Sequence, residues 1–170
     1  MSTWRDSRYV KDYVADMRGA ALGGHLRRLS AAIDADTARV YAAYGIKFEQ
    51  RWFGAINQLA LNGAMSVRDL ADALKISHAS VSETRRSLEE AGLILSEPDS
   101  RDSRRRVLSL SSSGKVLVRK LRPLWDAFDE AARQLDAEAG RVTEALARVE
   151  QALARQSLES RIVRLIKRSR

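Results

Sequence analysis

The sequence contains no cysteine and only two histidines, His25 and His78, among its 170 residues. The absence of cysteine excludes disulfide bonds, thiolate–zinc sites, a cysteine nucleophile and regulation by thiol oxidation. The two histidines are far apart in the sequence, which disfavours a conventional zinc site. We therefore expect neither a metal nor another cofactor.

Long apolar runs are also missing. No stretch approaches the roughly 20 apolar residues needed to span a bilayer, and the first 19 residues carry scattered charges rather than a signal-peptide pattern. We expect a cytoplasmic protein with no membrane partner. The sequence also lacks a Gly-rich phosphate loop, a metal-ligand cluster and a nucleophile elbow, so we expect no enzymatic activity.

What the sequence has in excess is positive charge. It contains 30 Lys and Arg against 22 Asp and Glu, which gives a formal net charge of +8 and a pI near 10.3. This balance favours a polyanionic partner, either nucleic acid or an acidic membrane surface. A solvated surface rich in arginine explains the same charge equally well, so charge alone does not decide.

The most informative stretch runs from residue 66 to 111. Ser66 and Asp69 have the spacing of a helix cap, and an apolar periodicity of helical type follows them. Ser77 can cap a second helix, in which Val81 and Leu88 are seven residues apart and share one face. Two short helices joined by a tight polar turn predict a helix-turn-helix.

A hairpin pattern follows the second helix. Gly92 can end that helix with a positive φ, and residues 93–97 and 107–110 are strand candidates. Between them, residues 98–103 are rich in turn formers. A helix-turn-helix followed by a hairpin with an arginine-rich tip predicts a winged helix.

These segments resemble the MarR family of transcriptional regulators. The similarity lies in residues 90–94 (EAGLI), in the wing tip at residues 99–105 (DSRDSRR) and in the return strand with the next helix cap at residues 108–114. The resemblance implies a homodimer that binds a pseudo-palindromic operator in double-stranded DNA, with repression as the usual outcome. It also implies a small-molecule effector. The alternative function is a winged helix for non-specific DNA packaging or protein contact.

The resemblance places the second helix in the major groove and a wing arginine in the minor groove. Arg86 is the best candidate for a guanine contact. Glu83 would be repelled by DNA unless it accepts a hydrogen bond from cytosine N4 or pairs with Arg86, and Arg85 and Arg86 could instead bridge Glu89 and Glu90. The predicted DNA-contacting residues are Ser77, His78, Ser80, Ser82, Glu83, Arg85, Arg86, Arg101, Arg104 and Arg105.

Two further groups of residues follow from the resemblance. Asp99 and Asp102 are expected to orient the wing arginines by ion pairing, with Arg101 as a partner. Candidate effector-binding residues lie in segments that border the ligand pocket of relatives, and ordinary core packing explains each of them as well. They are His25, Tyr44, Phe48 and Trp52.

Long helices are expected on both sides of this region. Apolar residues from Leu22 to Tyr44 predict one helix, and a second should open at Lys47 and run to about Leu61. After Gly114 a heptad pattern extends to Leu153, with a kink expected at a proline and a break suggested by Asp136 and Gly140. The heptad residues are Leu121, Trp125, Phe128, Ala132, Leu135, Ala139, Val142, Leu146, Val149 and Leu153.

We interpret this heptad pattern as a dimer interface, with packing on the first long helix as the alternative. Residues 161–170 form a basic amphipathic tail, and residues 1–20 form an amphipathic segment whose packing partner the sequence leaves open. The predicted fold is mainly α with a small β-hairpin wing. Its three parts are amino-terminal helices (1–61), a winged helix-turn-helix lobe (62–112) and carboxy-terminal dimerisation helices (113–170).

Overall fold

The computed structural model describes residues 18–99, 102 and 105–168. It is mainly helical with one small antiparallel sheet, which confirms the predicted fold class. The predicted helix within residues 1–20 lies almost entirely outside the described residues. The chain divides into two compact units, Met1–Val116 and Leu117–Arg170, and the boundary falls inside a helix. The three-part division drawn from the sequence stays a prediction.

The described residues form seven α-helices and three strands. Short 3-10 turns at Arg18–Ala21 and Gln50–Trp52 precede the first two helices. The elements are α1 (Leu22–Ala43), α2 (Phe53–Asn62), β1 (Met65–Ser66), α3 (Val67–Leu74), α4 (His78–Glu90), β2 (Ile94–Pro98), β3 (Arg106–Leu110), α5 (Ser112–Glu138), α6 (Val142–Arg155) and α7 (Leu158–Arg168).

The helix-turn-helix has the caps that the sequence predicts. The Asp69 backbone N–H donates to Ser66 Oγ at 3.1 Å, and the Ser66 N–H faces the Asp69 carboxylate at 3.4 Å, so α3 opens with a capping box. The Ser80 N–H donates to Ser77 Oγ at 3.1 Å at the start of α4. Between the two helices Lys75 adopts a left-handed conformation with φ 55°, which makes the turn tight.

The sheet has the strand order β1-β3-β2. The β2–β3 hairpin, called the wing below, pairs from Ile94 opposite Leu110 to Pro98 opposite Arg106. The sequence did not predict β1, because two residues are too short to show an alternating pattern. Its pairing of Ser66 with Val107 fixes the start of α3 beside the wing.

One glycine lies where the wing meets α5. A Cβ atom on Gly114 would lie 2.1 Å from the Leu93 carbonyl oxygen, a distance that only glycine permits. The adjacent hydrogen bonds hold this contact in place, since Ser111 Oγ donates to the Gly92 carbonyl at 2.7 Å and the Ser111 N–H donates to Leu93 O at 3.0 Å. The start of α5 is therefore tied to the end of α4 and the beginning of the wing.

The second helix begins later than the sequence indicates. Gly45 ends the α1 segment with φ 63°, and Ile46 and Phe48 are then buried alternately along a non-helical stretch. Helical residues start only with the 3-10 turn at Gln50, and α2 itself starts at Phe53. The prediction of a start at Lys47 was wrong because alternate burial in an extended loop resembles helical spacing over so few residues.

The second unit confirms the break expected near Gly140. Helix α5 continues through Pro123 to Glu138, and Gly140 and Arg141 take positive φ angles before α6 begins. The Asp136 carboxylate accepts the backbone N–H and the hydroxyl of Thr143, each at 2.8 Å, and these hydrogen bonds lower the pKa of Asp136. Ala139 lies in the turn, so the heptad pattern is divided between two helices.

No helix within the described residues is long and apolar enough to cross a membrane.

Candidate nucleic-acid interface

Helix α4 has one buried face and one exposed face. Val81 and Leu88 are each 1% exposed and anchor the helix in the core. The candidate contact residues on the other side are accessible to a partner. His78, Ser80, Glu83 and Arg86 are exposed, as is the capping residue Ser77, whereas Ser82 and Arg85 are half-buried.

A groove lies beside this exposed face, between the start of α3, the first turns of α4 and the wing. It is a cavity of about 380 Å³, called the basic groove below. It brings together four arginines and a histidine from three elements. Its lining residues are Ser66, Val67, Arg68, His78, Ser82, Arg85, Arg105 and Arg106.

The sequence analysis missed two of the four arginines in this groove, Arg68 and Arg106. Arg68 lies in the first turn of α3 after the Ser66 cap, a position that faces the same surface as the start of α4. Arg106 opens β3 and directly follows the arginines of the wing tip. The run of three arginines from residue 104 to 106 was the signal for Arg106, but a strand residue could point to either face of the hairpin.

The guanidinium groups in the basic groove differ in how strongly they are held. Arg85 pairs with Glu89 at 2.9 Å, which matches the alternative reading of that arginine, and Arg106 donates to Ser96 Oγ at 3.0 Å and to the Ser96 carbonyl. Arg68 and Arg105 form long ion pairs of 3.9 Å, to Asp72 and Asp102. Loosely held, exposed guanidinium groups can turn to meet a phosphate.

The positive charge of the groove also acts on Asp69. The Ser66 hydroxyl donates to the Asp69 carboxylate and lowers the pKa of that group, and the nearby charges of Arg105 and Arg68 lower it further. The carboxylate therefore stays ionised and keeps α3 capped. An ionised cap holds the amino end of α3 in place beside the wing.

The wing tip is only partly described. Arg101 and Arg104 lie outside the described residues. The Asp99 N–H donates to the Arg105 carbonyl at 2.9 Å and the Arg105 N–H donates to the Asp102 carbonyl at 2.8 Å, so Arg105 is linked to both aspartates through the backbone. The orienting roles of Asp99 and Asp102 stay predictions.

Glu83 has a partner that the sequence did not indicate. Arg51 Nη1 donates to Glu83 Oε1 at 3.3 Å, whereas the expected alternatives were Arg86 and a cytosine. Arg51 Nη2 also donates to Ser87 Oγ at 3.1 Å, and Trp52 Nε1 donates to the same oxygen at 3.0 Å. Glu83 and Ser87 are one helical turn apart, so they share the flank of α4 that faces the Gln50–Trp52 turn.

The four candidate effector residues have different environments. Phe48 and Trp52 are buried and form a cluster with Tyr41, with ring centroids 5.0 Å apart for Tyr41–Phe48 and 5.7 Å apart for Phe48–Trp52. Tyr44 is exposed, and His25 Nδ1 lies 3.3 Å from Arg28 Nη2 on α1. Their role in ligand binding stays a prediction. No group of three metal-ligating side chains occurs in the part of the chain that the structure describes.

The fold and the basic groove define a winged helix-turn-helix protein. Residues 44–105, which run from the end of α1 to the wing tip, match the sequence model of the MarR family. The resemblance to this family of transcriptional regulators is thus confirmed over the winged helix-turn-helix segment. A comparison with curated protein sequences finds no match.

Solved structures show the same fold. The S. aureus MepR–DNA complex is similar with a TM-score of 0.64 and 20% identity over 78% of this chain and 98% of MepR. Bordetella bronchiseptica BpsR gives a TM-score of 0.60 and 24% identity over 76% of this chain and 92% of its own. PcaV from Streptomyces coelicolor gives a TM-score of 0.62 and 16% identity over 81% of this chain and 94% of PcaV.

Proposed function

We propose that the protein is a sequence-specific DNA-binding transcriptional regulator of the MarR family, acting as a repressor. One observation carries the proposal: the exposed face of α4 and the basic groove are continuous, and both are presented by a helix-turn-helix and wing that match the family. The net charge of +8 on the whole chain also favours binding to DNA. The related MepR structure was solved as a DNA complex.

The proposed complex places the exposed face of α4 in the major groove. Arg86 reads a guanine there, because its planar fork matches guanine O6 and N7, and Ser82 allows close approach to the base edges. The capped amino ends of α3 and α4 meet the phosphate backbone, where Arg68 adds positive charge. The wing follows the DNA backbone and places an arginine of its tip, such as Arg105, in the minor groove.

A homodimer is proposed from apolar side chains that each unit leaves exposed. On α1 they recur at helical spacing, and on α7 they alternate with basic residues. Such faces are normally covered by a partner, and a two-fold dimer presents two α4 helices to a pseudo-palindromic operator. They are Leu22, Leu26, Leu29 and Ile33 on α1, and Leu158, Ile162, Leu165 and Ile166 on α7.

A small-molecule effector is proposed as the regulator of DNA binding. Two structurally similar proteins support this: 6-hydroxynicotinic acid regulates DNA binding by BpsR, and PcaV was solved in complex with its natural ligand. A ligand acts by binding more tightly to one spacing of the two α4 helices than to the other. Among the four predicted effector residues, the exposed Tyr44 is the most accessible.

The test is a titration of the protein into a labelled duplex taken from upstream of its own coding region. A scrambled duplex of equal length is the control, and both are measured at two salt concentrations. Tight, salt-sensitive binding with a preference of about a thousandfold for the upstream duplex is expected of a regulator. Equal binding to both duplexes would favour DNA packaging, and no binding at low salt would favour a protein-contact role.

A further inference from the structure

Glu83 is an exposed acidic side chain on the flank of α4, beside the proposed DNA-reading surface. Its side chain is 71% exposed, and it lies between Ser82 and Arg86 of the proposed DNA-reading surface. A bare carboxylate at this position is repelled by DNA, which carries about one phosphate charge per 1.7 Å of duplex. DNA binding at this surface is therefore favoured if a nearby cation offsets the carboxylate charge, or if the carboxylate accepts a hydrogen bond from a base.

Arg51 is placed to offset part of the Glu83 charge. The guanidinium group donates to Glu83 at 3.3 Å, to Ser87 at 3.1 Å and to Glu49 at 2.6 Å. These three acceptors hold the group against the flank of α4. The next residue, Trp52, is 3% exposed and donates to the same Ser87 hydroxyl, so the backbone beneath Arg51 is anchored in the core.

The position of the Arg51 guanidinium does not depend on its ion pair with Glu83 alone. An isolated exposed ion pair contributes little, because two long side chains must be ordered and water screens their charges. Here Glu49 and Ser87 already order Arg51, so its contact with Glu83 requires the ordering of only one more side chain. Arg51, whose charge is shared with Glu49, therefore offsets part of the charge of Glu83 at lower entropic cost than a free arginine would.

Resting on the proposed DNA-binding function, we infer that Arg51 is a positioning residue for DNA recognition. It holds Glu83 at the flank of α4 and offsets part of the carboxylate charge, and it acts through Glu83 rather than through its own contact with DNA. Because phosphate repulsion does not depend on base sequence, this effect applies to specific and non-specific duplexes alike.

The test combines Arg51→Met, Glu83→Gln and the double variant with the upstream and scrambled duplexes described above. Arg51→Met should weaken binding to both duplexes about tenfold at low salt, and the loss should shrink as salt screens exposed charges. In the Glu83→Gln background the same change should alter affinity less than about twofold, because the charge that Arg51 offsets on α4 is gone.

Two further variants control the experiment. Arg39→Met removes an exposed arginine that pairs with Asp36 within α1, so it changes the net charge equally and should alter affinity less than about twofold. Arg51→Lys keeps the charge and should lose less affinity than Arg51→Met. Thermal unfolding of each variant separates a loss of contact from a loss of fold.

Three results would overturn the inference while leaving the proposed function intact. Equal losses from Arg51→Met in both backgrounds would show that Arg51 contacts DNA directly. No loss in either background would show that Glu83 does not need a partner. Weaker binding of Glu83→Gln to the upstream duplex alone would show that Glu83 reads a base. A wild-type protein that binds neither duplex would overturn the proposed function and this inference together.

Discussion

Trp52 donates its indole N–H to the Ser87 hydroxyl at 3.0 Å, across 35 residues of sequence. The bond joins the aromatic cluster before α2 to the third turn of α4, and Arg51 donates to the same oxygen. Since Trp52 is buried, the hydroxyl is the partner that its only polar atom requires. The orientation of α4 is thus linked to the packing of Trp52.

We predict that Ser87→Ala lowers the free energy of unfolding by about 1–3 kcal/mol, because it leaves a buried indole N–H without its acceptor. Chemical denaturation measures the change. Ser113→Ala, at an exposed position in the first turn of α5, is the matched control and should change stability by less than about 0.5 kcal/mol. Equal stability of Ser87→Ala and wild type would mean that water replaces the hydroxyl.

Arg86→Ala should reduce specificity as well as affinity. If its guanidinium reads a guanine, the loss on the upstream duplex is about 1–3 kcal/mol, and the loss on the scrambled duplex is smaller. Anisotropy titrations of both duplexes give the two losses. Arg39→Ala, an exposed arginine of α1, is the control for net charge. A loss of the same size on both duplexes would assign Arg86 to a phosphate.

The stability of the helix-turn-helix should depend on pH through Asp69. The hydrogen bond from Ser66 lowers the pKa of this carboxyl below its ordinary value. A lowered folded-state pKa means that the charged carboxylate contributes stability above the unfolded value, and that the contribution is lost as pH falls through the folded value. Asp69→Asn should therefore lower the Tm near neutral pH and have a diminishing effect in strong acid.

The measurement is the Tm of wild type and Asp69→Asn from about pH 7 to about pH 3, on either side of the ordinary carboxyl pKa. Ser66→Ala supplies the control, since it removes the hydroxyl that is the largest single cause of the pKa change. In the Ser66→Ala background, the change in Tm caused by Asp69→Asn should depend less on pH. A Tm difference that stays constant over the whole range would contradict the assignment.

Gly114→Ala should destabilise the junction of the wing and α5. The added methyl group would lie 2.1 Å from a backbone oxygen of Leu93, and a carbonyl held by Ser111 cannot move aside freely. We expect a loss of about 1–3 kcal/mol, as for other overpacked sites. In Gly23→Ala the nearest atom to the new methyl belongs to the flexible Arg27 side chain at 3.5 Å, so no loss is expected. Equal denaturation midpoints for Gly114→Ala and wild type would refute the clash.

Features that depend on residues close together in the sequence were predicted, whereas features that depend on residues far apart in the sequence were not. The caps at Ser66 and Ser77 were found because a cap depends on residues within one helical turn. The contacts of Glu83 and Ser87 were not found, because their partners Arg51 and Trp52 lie 32 to 36 residues away in the sequence and only tertiary packing brings them together. The groove residue Arg68 was missed for the same reason.

The last prediction concerns α7, whose apolar side chains are exposed in the second unit. Ile162 and Leu165 are 48% and 59% exposed, and they lie on one face of a helix that also carries four basic residues. If this face is covered in the homodimer, the double variant Ile162→Ser/Leu165→Ser loses apolar burial in both subunits. At about 1.5–3 kcal/mol for each fully buried side chain, dimer dissociation should become easier by at least a hundredfold.

Sedimentation at several protein concentrations measures this change, and Arg164→Ser on the same helix is the matched control. DNA affinity should fall together with dimerisation, because two linked half-sites bind far more tightly than one. The Tm of a dilute sample should fall too, since dissociation removes the stabilisation that the partner provides. A double variant that stays dimeric at the same concentrations as wild type would remove α7 from the interface, and the exposed face of α1 would then be the surface to substitute next.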